Sequence, residues 1–390
     1  MRNSVILFIC ALLGFSCKQD PSTADDAKEF EFVVVDSLVT DLLETVRVLD
    51  YHHEKGLYLA VKYMTMEGHY YILDKSGNVV AENFLSEGPD AFGLVLVRAG
   101  FVGDEILFVS EGTSYVYDLS LKQKRRFPFE QGVRMRLIHW TRDNLSTFRM
   151  PDGSLHALMN LNDAYLQAYP MDYYDTLQLA HLMDIQTGAI HKGGKLLPNT
   201  KFTSGKFYPF MDKPLFFSDQ FSSTISTILY GDTLLYQLDP VKNFELVQAI
   251  SLPRITPDQI KEVSMDQASY ATVREFRTDN VTLGGMFDQL LGYGDELLVG
   301  YRSGGRPDLV FDNPSPEQSE AFSASQKRYY FLIKDGKRMG QAIPWDKPGS
   351  LILNVGPNRY LHYADQADLH ETENDYQSYP IYELREKVQK

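Results

Sequence analysis

Gly103-Asp104-Glu105-Ile106-Leu107-Phe108 and Gly294-Asp295-Glu296-Leu297-Leu298 repeat one pattern, a tight turn that leads into an apolar strand. The same pattern recurs in four other stretches, at 55–59, 152–156, 213–217 and 357–361. A second strand follows each of the six, and after five of them comes a further turn and strand. Repetition of one strand–turn unit is typical of radially repeated β architectures.

The turn after the second strand indicates which architecture this is. In Tyr71-Ile72-Leu73-Asp74 and its counterparts the strand ends in Asp before a tight turn, and Asp can hydrogen-bond its own backbone there. A four-stranded propeller blade needs such turns, so six units predict an all-β, six-bladed β-propeller over residues 30–390. A pair of β-sandwiches or an irregular β domain is the alternative.

The two ends of the predicted propeller are complementary. The sixth unit, with Ile381-Tyr382-Glu383-Leu384, has too little chain after it for an outermost strand, whereas residues 30–36 form a strand without a nearby hairpin partner. We therefore expect residues 30–36 to supply the outermost strand of the sixth blade and to close the ring. One helical stretch, with Thr256 as cap and Pro257 at its first position, is expected as an insertion between β units.

Composition excludes several classes of protein. The chain has 390 residues, of which 44% are hydrophobic, so it can bury a large core and is neither a disordered tail nor a small disulfide scaffold. It carries 52 acidic and 38 basic residues, a net charge of -14. A nucleic-acid partner is not expected, because such binding depends on clustered Lys and Arg.

The N-terminus predicts export. Arg2 precedes an apolar run from Val5 to Phe15 that is too short to span a bilayer, so residues 1–16 are predicted to be a signal peptide. Leu13-Gly14-Phe15-Ser16-Cys17 resembles a bacterial lipobox, and Cys17 would then carry the lipid, including palmitate, with residues 17–29 as a flexible tether. Ordinary signal-peptidase cleavage is the alternative. We expect a lipoprotein of the cell envelope, at the outer membrane on its periplasmic or surface side, whose membrane contact is this anchor.

Together, Cys17, the six repeats and the turn Glu87-Gly88-Pro89-Asp90 resemble the six-bladed β-propeller lipoproteins of Bacteroides-type bacteria, which include domains of unknown function and TolB-like propellers. The resemblance implies the fold over essentially the whole mature chain. It implies much less about function, because propellers host binding, scaffolding and several chemistries.

Candidate ligand contacts lie in long loops. In a propeller, loops between the second and third strands of a blade share one face with the loops that connect blades, and the predicted long loops include 160–175, 302–327 and 363–376. Their mixture of aromatic rings and carboxylates suits a glycan or another polar ligand, although strand-end tyrosines and acidic loops also occur without any ligand. The candidate residues are Tyr165, Tyr169, Asp172 and Tyr173 in the first loop and Tyr363, Asp365, His370 and Tyr376 in the last.

Motifs for catalysis or metal binding are absent from the sequence. His52-His53-Glu54 is expected to be a solvated turn, because adjacent histidines on a strand point to opposite faces. There is no GxSxG elbow and no phosphate-binding loop, so we expect no cofactor, no metal and no catalytic residue. The sequence favours a binding or interaction module for glycans or an envelope protein. A propeller hydrolase, lactonase or lyase with carboxylates in the axial channel is the alternative.

Overall fold

The computed structural model describes residues 28–62, 68–93, 98–110, 112–129, 145–159, 169–198, 200–256, 259–311, 313–369 and 375–387. The predicted signal peptide, Cys17 and most of the tether lie outside these residues.

Six four-stranded antiparallel sheets make up the described chain. The first sheet contains β2 (Val46–His52), β3 (Leu57–Lys62), β4 (His69–Leu73) and β5 (Val79–Phe84). The second contains β6 (Arg98–Val102), β7 (Glu105–Val109), β8 (Thr113–Tyr117) and β9 (Gln123–Pro128). The third contains β10 (Thr147–Arg149), β11 (Leu155–Leu158), β12 (Ala180–Asp184) and β13 (Ile190–Gly193). The fourth and fifth are β15 (Pro214–Phe217), β16 (Ile225–Leu229), β17 (Leu234–Asp239) and β18 (Glu245–Ser251), then β20 (Met286–Tyr293), β21 (Glu296–Arg302), β22 (Arg328–Lys334) and β23 (Lys337–Trp345). The sixth is β24 (Ser350–Gly356), β25 (Arg359–Tyr363), β26 (Gln377–Glu386) and the N-terminal β1 (Phe30–Thr40).

The sheets are the blades of a six-bladed β-propeller. The first strands of neighbouring sheets lie against one another, as β2 does with β6 and with β24, so these first strands surround the axis. The core is built between blades, because each of the six apolar clusters combines residues of at least two neighbouring sheets. The predicted six-bladed, all-β architecture is confirmed.

The sixth sheet joins the two ends of the described chain. β1 pairs antiparallel with β26, from Phe30 opposite Glu386 to Thr40 opposite Gln377. The segment 33–35 therefore lies beside 381–384, and the strand extends beyond the expected residues 30–36. Leu38, near the C-terminal end of this strand, is fully buried.

The turns between third and fourth strands use the side chain that the sequence predicts. Asp74, Asp118, Asp184 and Asp239 each accept backbone N–H bonds from the residues just after them, with Oδ1 as acceptor. In the fifth sheet, Asp335 and Gly336 form a two-residue hairpin with φ of 50° and 69°. Both values are positive, as the twist of a tight β-hairpin requires.

Most of the helical residues lie in two insertions, one before the fifth sheet and one between its second and third strands. Between the fourth and fifth sheets lie α2 (Tyr270–Leu283) and β19 (Val263–Ser264). β19 forms a two-stranded ribbon with β14 (Lys206–Phe207), which comes from the connection between the third and fourth sheets. The expected insertion is present, but its α-helix begins after the cap Ser269 and not after Thr256. The others are α1 (Tyr173–Thr176), α3 (Pro316–Ser325) and α4 (Gln366–Leu369). Over the described ranges, no helix has the length and apolar character needed to span a membrane.

Candidate functional site

A cavity of about 110 Å³ lies on the propeller axis. Its walls come from the first strands of all six sheets, mostly from their second halves and from the hairpins that lead into the second strands. The cavity is therefore displaced towards the end of the channel opposite the long loops that the sequence analysis singled out. The polar side chains that line it are Asp50, His52, His53, Ser146, Thr147, Ser218, Asp219, Gln220, Gln289 and Asn354, with the phenol of Tyr51.

β-bulges in three of the inner strands lie beside this cavity. The pairing register shifts between Val48 and Asp50 in β2, between Phe287 and Gln289 in β20 and between Leu351 and Leu353 in β24. A bulge inserts one extra residue and re-aims the side chains that follow it. Asp50, Gln289 and Leu353 all follow such a shift, and all three line the cavity.

Asp50 is the ionisable group most altered by this environment. Its Oδ2 accepts a hydrogen bond from the Phe101 amide at 2.6 Å, across the joint between the first and second sheets, and its Oδ1 accepts one from Tyr51 N at 2.8 Å. Burial raises the pKa of Asp50 to about 7, and the two amide hydrogen bonds act in the opposite direction. The carboxyl group can therefore hold or release a proton near neutral pH, as a general acid or base must.

Gly100 makes room for this carboxyl group. A Cβ at position 100 would lie 2.7 Å from Asp50 Oδ2 and 2.6 Å from the Cβ of Leu145. Real Cβ atoms do not approach other heavy atoms so closely, so the absence of a side chain lets Asp50 reach the second sheet.

Gln289 is fixed from several sides. Its Nε2 donates to the Leu351 carbonyl at 2.9 Å, and its Oε1 accepts from Arg328 at 3.0 Å and from the Tyr330 hydroxyl at 3.3 Å. Arg328 also forms a bidentate pair with Asp288, both distances 2.8 Å. This network ties the fifth sheet to the sixth and gives the cavity a rigid wall.

The expected turn is present over residues 53–56, with Glu54 exposed, but neither histidine is solvent-exposed, so that part of the expectation was wrong. His52 is buried, with 5% exposure, and His53 is half-buried and lines the cavity. Burial lowers the pKa of His53 to about 4, against the opposing effect of the Asp219 carboxylate, and burial also lowers the pKa of His52. Both rings are neutral at pH 7.

Side chains from opposite blades meet at the mouth of the cavity. Gln220 of the fourth sheet donates to Glu54 of the first at 3.3 Å and accepts from Arg149 of the third at 3.0 Å. The His53 ring lies 4.8 Å from the ring of Tyr293, which belongs to the fifth sheet. First and fourth sheets face each other across a six-membered ring, so the contact between Gln220 and Glu54 crosses the axis at the mouth.

The structure brings two of the predicted ligand-binding tyrosines together in the core. Tyr169 is 5% exposed and Tyr173 is 6% exposed, and their rings pack edge to face at 4.8 Å. Tyr169 also packs against Phe207, and the Tyr173 hydroxyl donates to the buried Asp212 at 2.9 Å. These contacts leave neither ring a free face on the surface.

The other predicted residues are dispersed. Asp172 and Asp365 are exposed, Tyr376 is 40% exposed, and Tyr363 is half-buried against Tyr379. Asp172 belongs to the third sheet and the others to the sixth, on opposite sides of the ring. Tyr165 and His370, like Cys17, lie outside the described residues.

Sequence reasoning missed Asp50, Gln289 and Asn354. A signal existed for Asp50, since it is an acidic residue inside the otherwise strand-like stretch Val46-Arg47-Val48-Leu49-Asp50-Tyr51. Buried polar groups in a strand are informative because they need a reason. Within the part of the chain that the structure describes, no three His, Asp or Glu side chains are placed to hold a metal ion.

Comparison with known proteins supports the fold. No protein-family model matches the sequence, and no curated protein does. The fold is similar to the crystal structure of a DUF4221 family member from Bacteroides vulgatus, with 11% identity, 92% of this chain and 99% of that chain covered, and a TM-score of 0.61.

Two other solved structures have lower similarity. BamB from Moraxella catarrhalis has 11% identity, coverage of 90% and 100% of the two chains, and a TM-score of 0.40. A protein of unknown function from Bacteroides caccae has 10% identity, coverage of 77% and 82%, and a TM-score of 0.38. At the level of fold, the resemblance to six-bladed propellers of Bacteroides-type bacteria is confirmed.

Proposed function

We propose that this protein is a lipid-anchored β-propeller of the bacterial cell envelope that binds a small polar ligand in its axial cavity. The proposal rests on the cavity itself. All six sheets line it, and Asp50, Gln289 and Asn354 are among its polar lining residues. Ligand sites are concave, largely preformed and supplied with a few fixed polar groups. β1 holds the ring closed in this proposal, which its pairing with β26 supports.

The volume limits what can bind inside. About 110 Å³ accommodates several water molecules or a ligand of a few non-hydrogen atoms. An oligosaccharide or an envelope protein would have to bind elsewhere, on the face that carries Asp172, Tyr363, Asp365 and Tyr376.

Titration of the full-length protein with a panel of small polar solutes tests the cavity. We expect saturable binding that Asp50→Asn weakens and that Asp346→Asn leaves unchanged, because the side chain of Asp346 is 85% exposed and lies outside the cavity. A panel without any binder, or binding that Asp50→Asn does not affect, would exclude the cavity as the ligand site.

The anchor has its own test. Metabolic labelling with a fatty-acid analogue should mark the wild-type protein and not Cys17→Ser. Equal labelling of the two would remove the lipid anchor from the proposal and leave the cavity untouched.

A hydrolase, lactonase or lyase is the second candidate, and Asp50 is the observation that favours it. A carboxyl group whose pKa lies near 7 in an enclosed site suits general acid–base catalysis. Incubation with lactones and aryl glycosides would distinguish the two candidates, since turnover that disappears in Asp50→Asn requires an enzyme.

A further inference from the structure

The charges around the axial cavity are unbalanced. Two carboxylic acids, Asp50 and Asp219, line it, and none of the described residues that line it is Lys or Arg. The histidines do not compensate, because burial lowers the pKa of His53 to about 4 and also lowers the pKa of His52. No lining cation therefore balances the acidic side chains of the cavity wall.

Asp50 is the acid that can respond to a ligand. The Asp219 carboxylate already accepts from the Gly294 and Phe221 amides, both at 2.8 Å, and from the Ser222 hydroxyl at 2.9 Å. Asp50 accepts two amide hydrogen bonds, and no ion pair joins it to a cation among the described residues. A cation in the cavity would stabilise its ionised form, which burial otherwise disfavours.

The remaining wall is rich in aromatic rings. Those that line the cavity are Tyr51, Phe101, Phe216, Phe217 and Phe221. The face of an aromatic ring attracts an organic cation and does so more strongly once the cation is desolvated. An enclosed carboxylate beside several rings is thus suited to an ammonium group and poorly suited to an anion.

We propose that the axial cavity binds a small organic cation, an amine or a quaternary ammonium, whose charge pairs with the Asp50 carboxylate. This inference rests on the proposed function and adds the chemical class of the ligand. When the cation enters, a protonated Asp50 releases its proton to solvent, so that one positive charge replaces another. The other titratable groups that line the same cavity are His52, His53, Asp219 and Tyr51.

The test uses full-length protein and three probes of similar shape and different charge, namely tetramethylammonium, tert-butanol and pivalate, each followed by calorimetric titration. We expect tetramethylammonium to bind and the other two to fail. Asp50→Asn should weaken that binding by roughly 30-fold or more, as loss of an enclosed charge partner does. Asp346→Asn removes an equal charge outside the cavity and should have no effect.

Each other outcome overturns the inference in a distinguishable way. If tert-butanol binds as tightly as tetramethylammonium, or pivalate binds more tightly, the ligand is not a cation, but the cavity remains a binding site. If no probe binds and no solute of the wider panel binds either, the proposed function fails together with the inference.

A wild-type measurement keeps the inference testable if Asp50→Asn does not fold. The affinity for tetramethylammonium should fall roughly tenfold per pH unit below about pH 7, because Asp50 must lose its proton before the cation binds. Titrations in two buffers of different ionisation enthalpy should show proton release at pH 6. An affinity that stays constant between pH 5 and pH 8 would overturn the pairing with Asp50.

Discussion

Tyr173, in the loop between β11 and β12, is 6% exposed and packs within the core, whereas His53, in the hairpin between β2 and β3, faces the axial cavity. From the sequence, the first was expected to contact a ligand and the second to lie in a solvated turn. The loop's tyrosines pack against Phe207 and one another, and the hairpin crosses the channel mouth to Tyr293. An aromatic, acidic loop composition therefore does not distinguish a binding surface from a local core.

The largest effect expected from this comparison concerns stability. Tyr173→Ala should lower the free energy of unfolding by about 3–5 kcal/mol, because it removes a large buried ring and leaves Asp212 without its phenol donor. Tyr376→Ala, in the sixth-sheet loop, should lower it by distinctly less, because 40% of that residue is exposed whereas Tyr173 is 6% exposed.

Denaturant unfolding of the two variants measures the difference. Tyr173→Phe is the matched control, since it keeps the ring and removes the hydroxyl alone, and its loss should lie between the other two. Equal stability of Tyr173→Ala and Tyr376→Ala would mean that the third-sheet loop is not part of the core.

The fold was predictable because it follows from local chemistry repeated along the chain. Asp74 and its counterparts make the backbone hydrogen bonds that the strand–turn pattern implies. The repeat was less uniform than the pattern suggests, since the stretch 213–217 contains a first strand, β15, whereas the other five contain second strands. α3 was missed, although Ser315, Pro316 and Gln318 form a capping box with proline at the first turn.

The candidate site was not predictable in the same way. Asp50 and Gln289 come from the first and fifth sheets, and β-bulges place them beside the axis. No local sequence motif predicts these bulges. Gly100 lies in the second sheet, and it matters because it leaves room for Asp50, which is fifty positions earlier in the chain. Such a site depends on tertiary geometry, whereas turns depend on neighbouring residues.

An intermediate effect is expected at the joint between the first and second sheets. Gly100→Ala places a Cβ within 2.7 Å of Asp50 Oδ2 and within 2.6 Å of the Leu145 Cβ, so one of these groups must move. Overpacking of this kind costs about 1–3 kcal/mol of unfolding free energy. Thermal unfolding measures the loss, and a variant as stable as the wild type would show that the joint is loose enough to admit a methyl group.

The smallest effect expected, per pH unit, is in the pH dependence of the free energy of unfolding. It tests the cavity carboxyl group of Asp50 separately from the tyrosine-rich loop. The pKa of Asp50 is raised to about 7 in the folded state, so between about pH 4 and pH 7 the folded protein holds a proton that the unfolded chain has lost. Asp50 therefore makes the free energy of unfolding fall as pH rises through this window, by at most about 1.4 kcal/mol per pH unit. His53, whose pKa is lowered to about 4, acts in the opposite direction between about pH 4 and pH 6.5.

In Asp50→Asn the Asp50 contribution disappears and that of His53 remains, so stability should rise with pH relative to the wild type over this window. Urea unfolding at pH 4.5, 5.5 and 6.5 measures the two slopes, with Asp346→Asn as the control outside the cavity. Parallel curves for wild type and Asp50→Asn would mean that Asp50 is ionised throughout, and the enclosed carboxyl group would then resemble the exposed acids of the loops. Diverging curves would establish that the hairpin side of the channel, and not the tyrosine-rich loop, contains the chemically unusual group of this propeller.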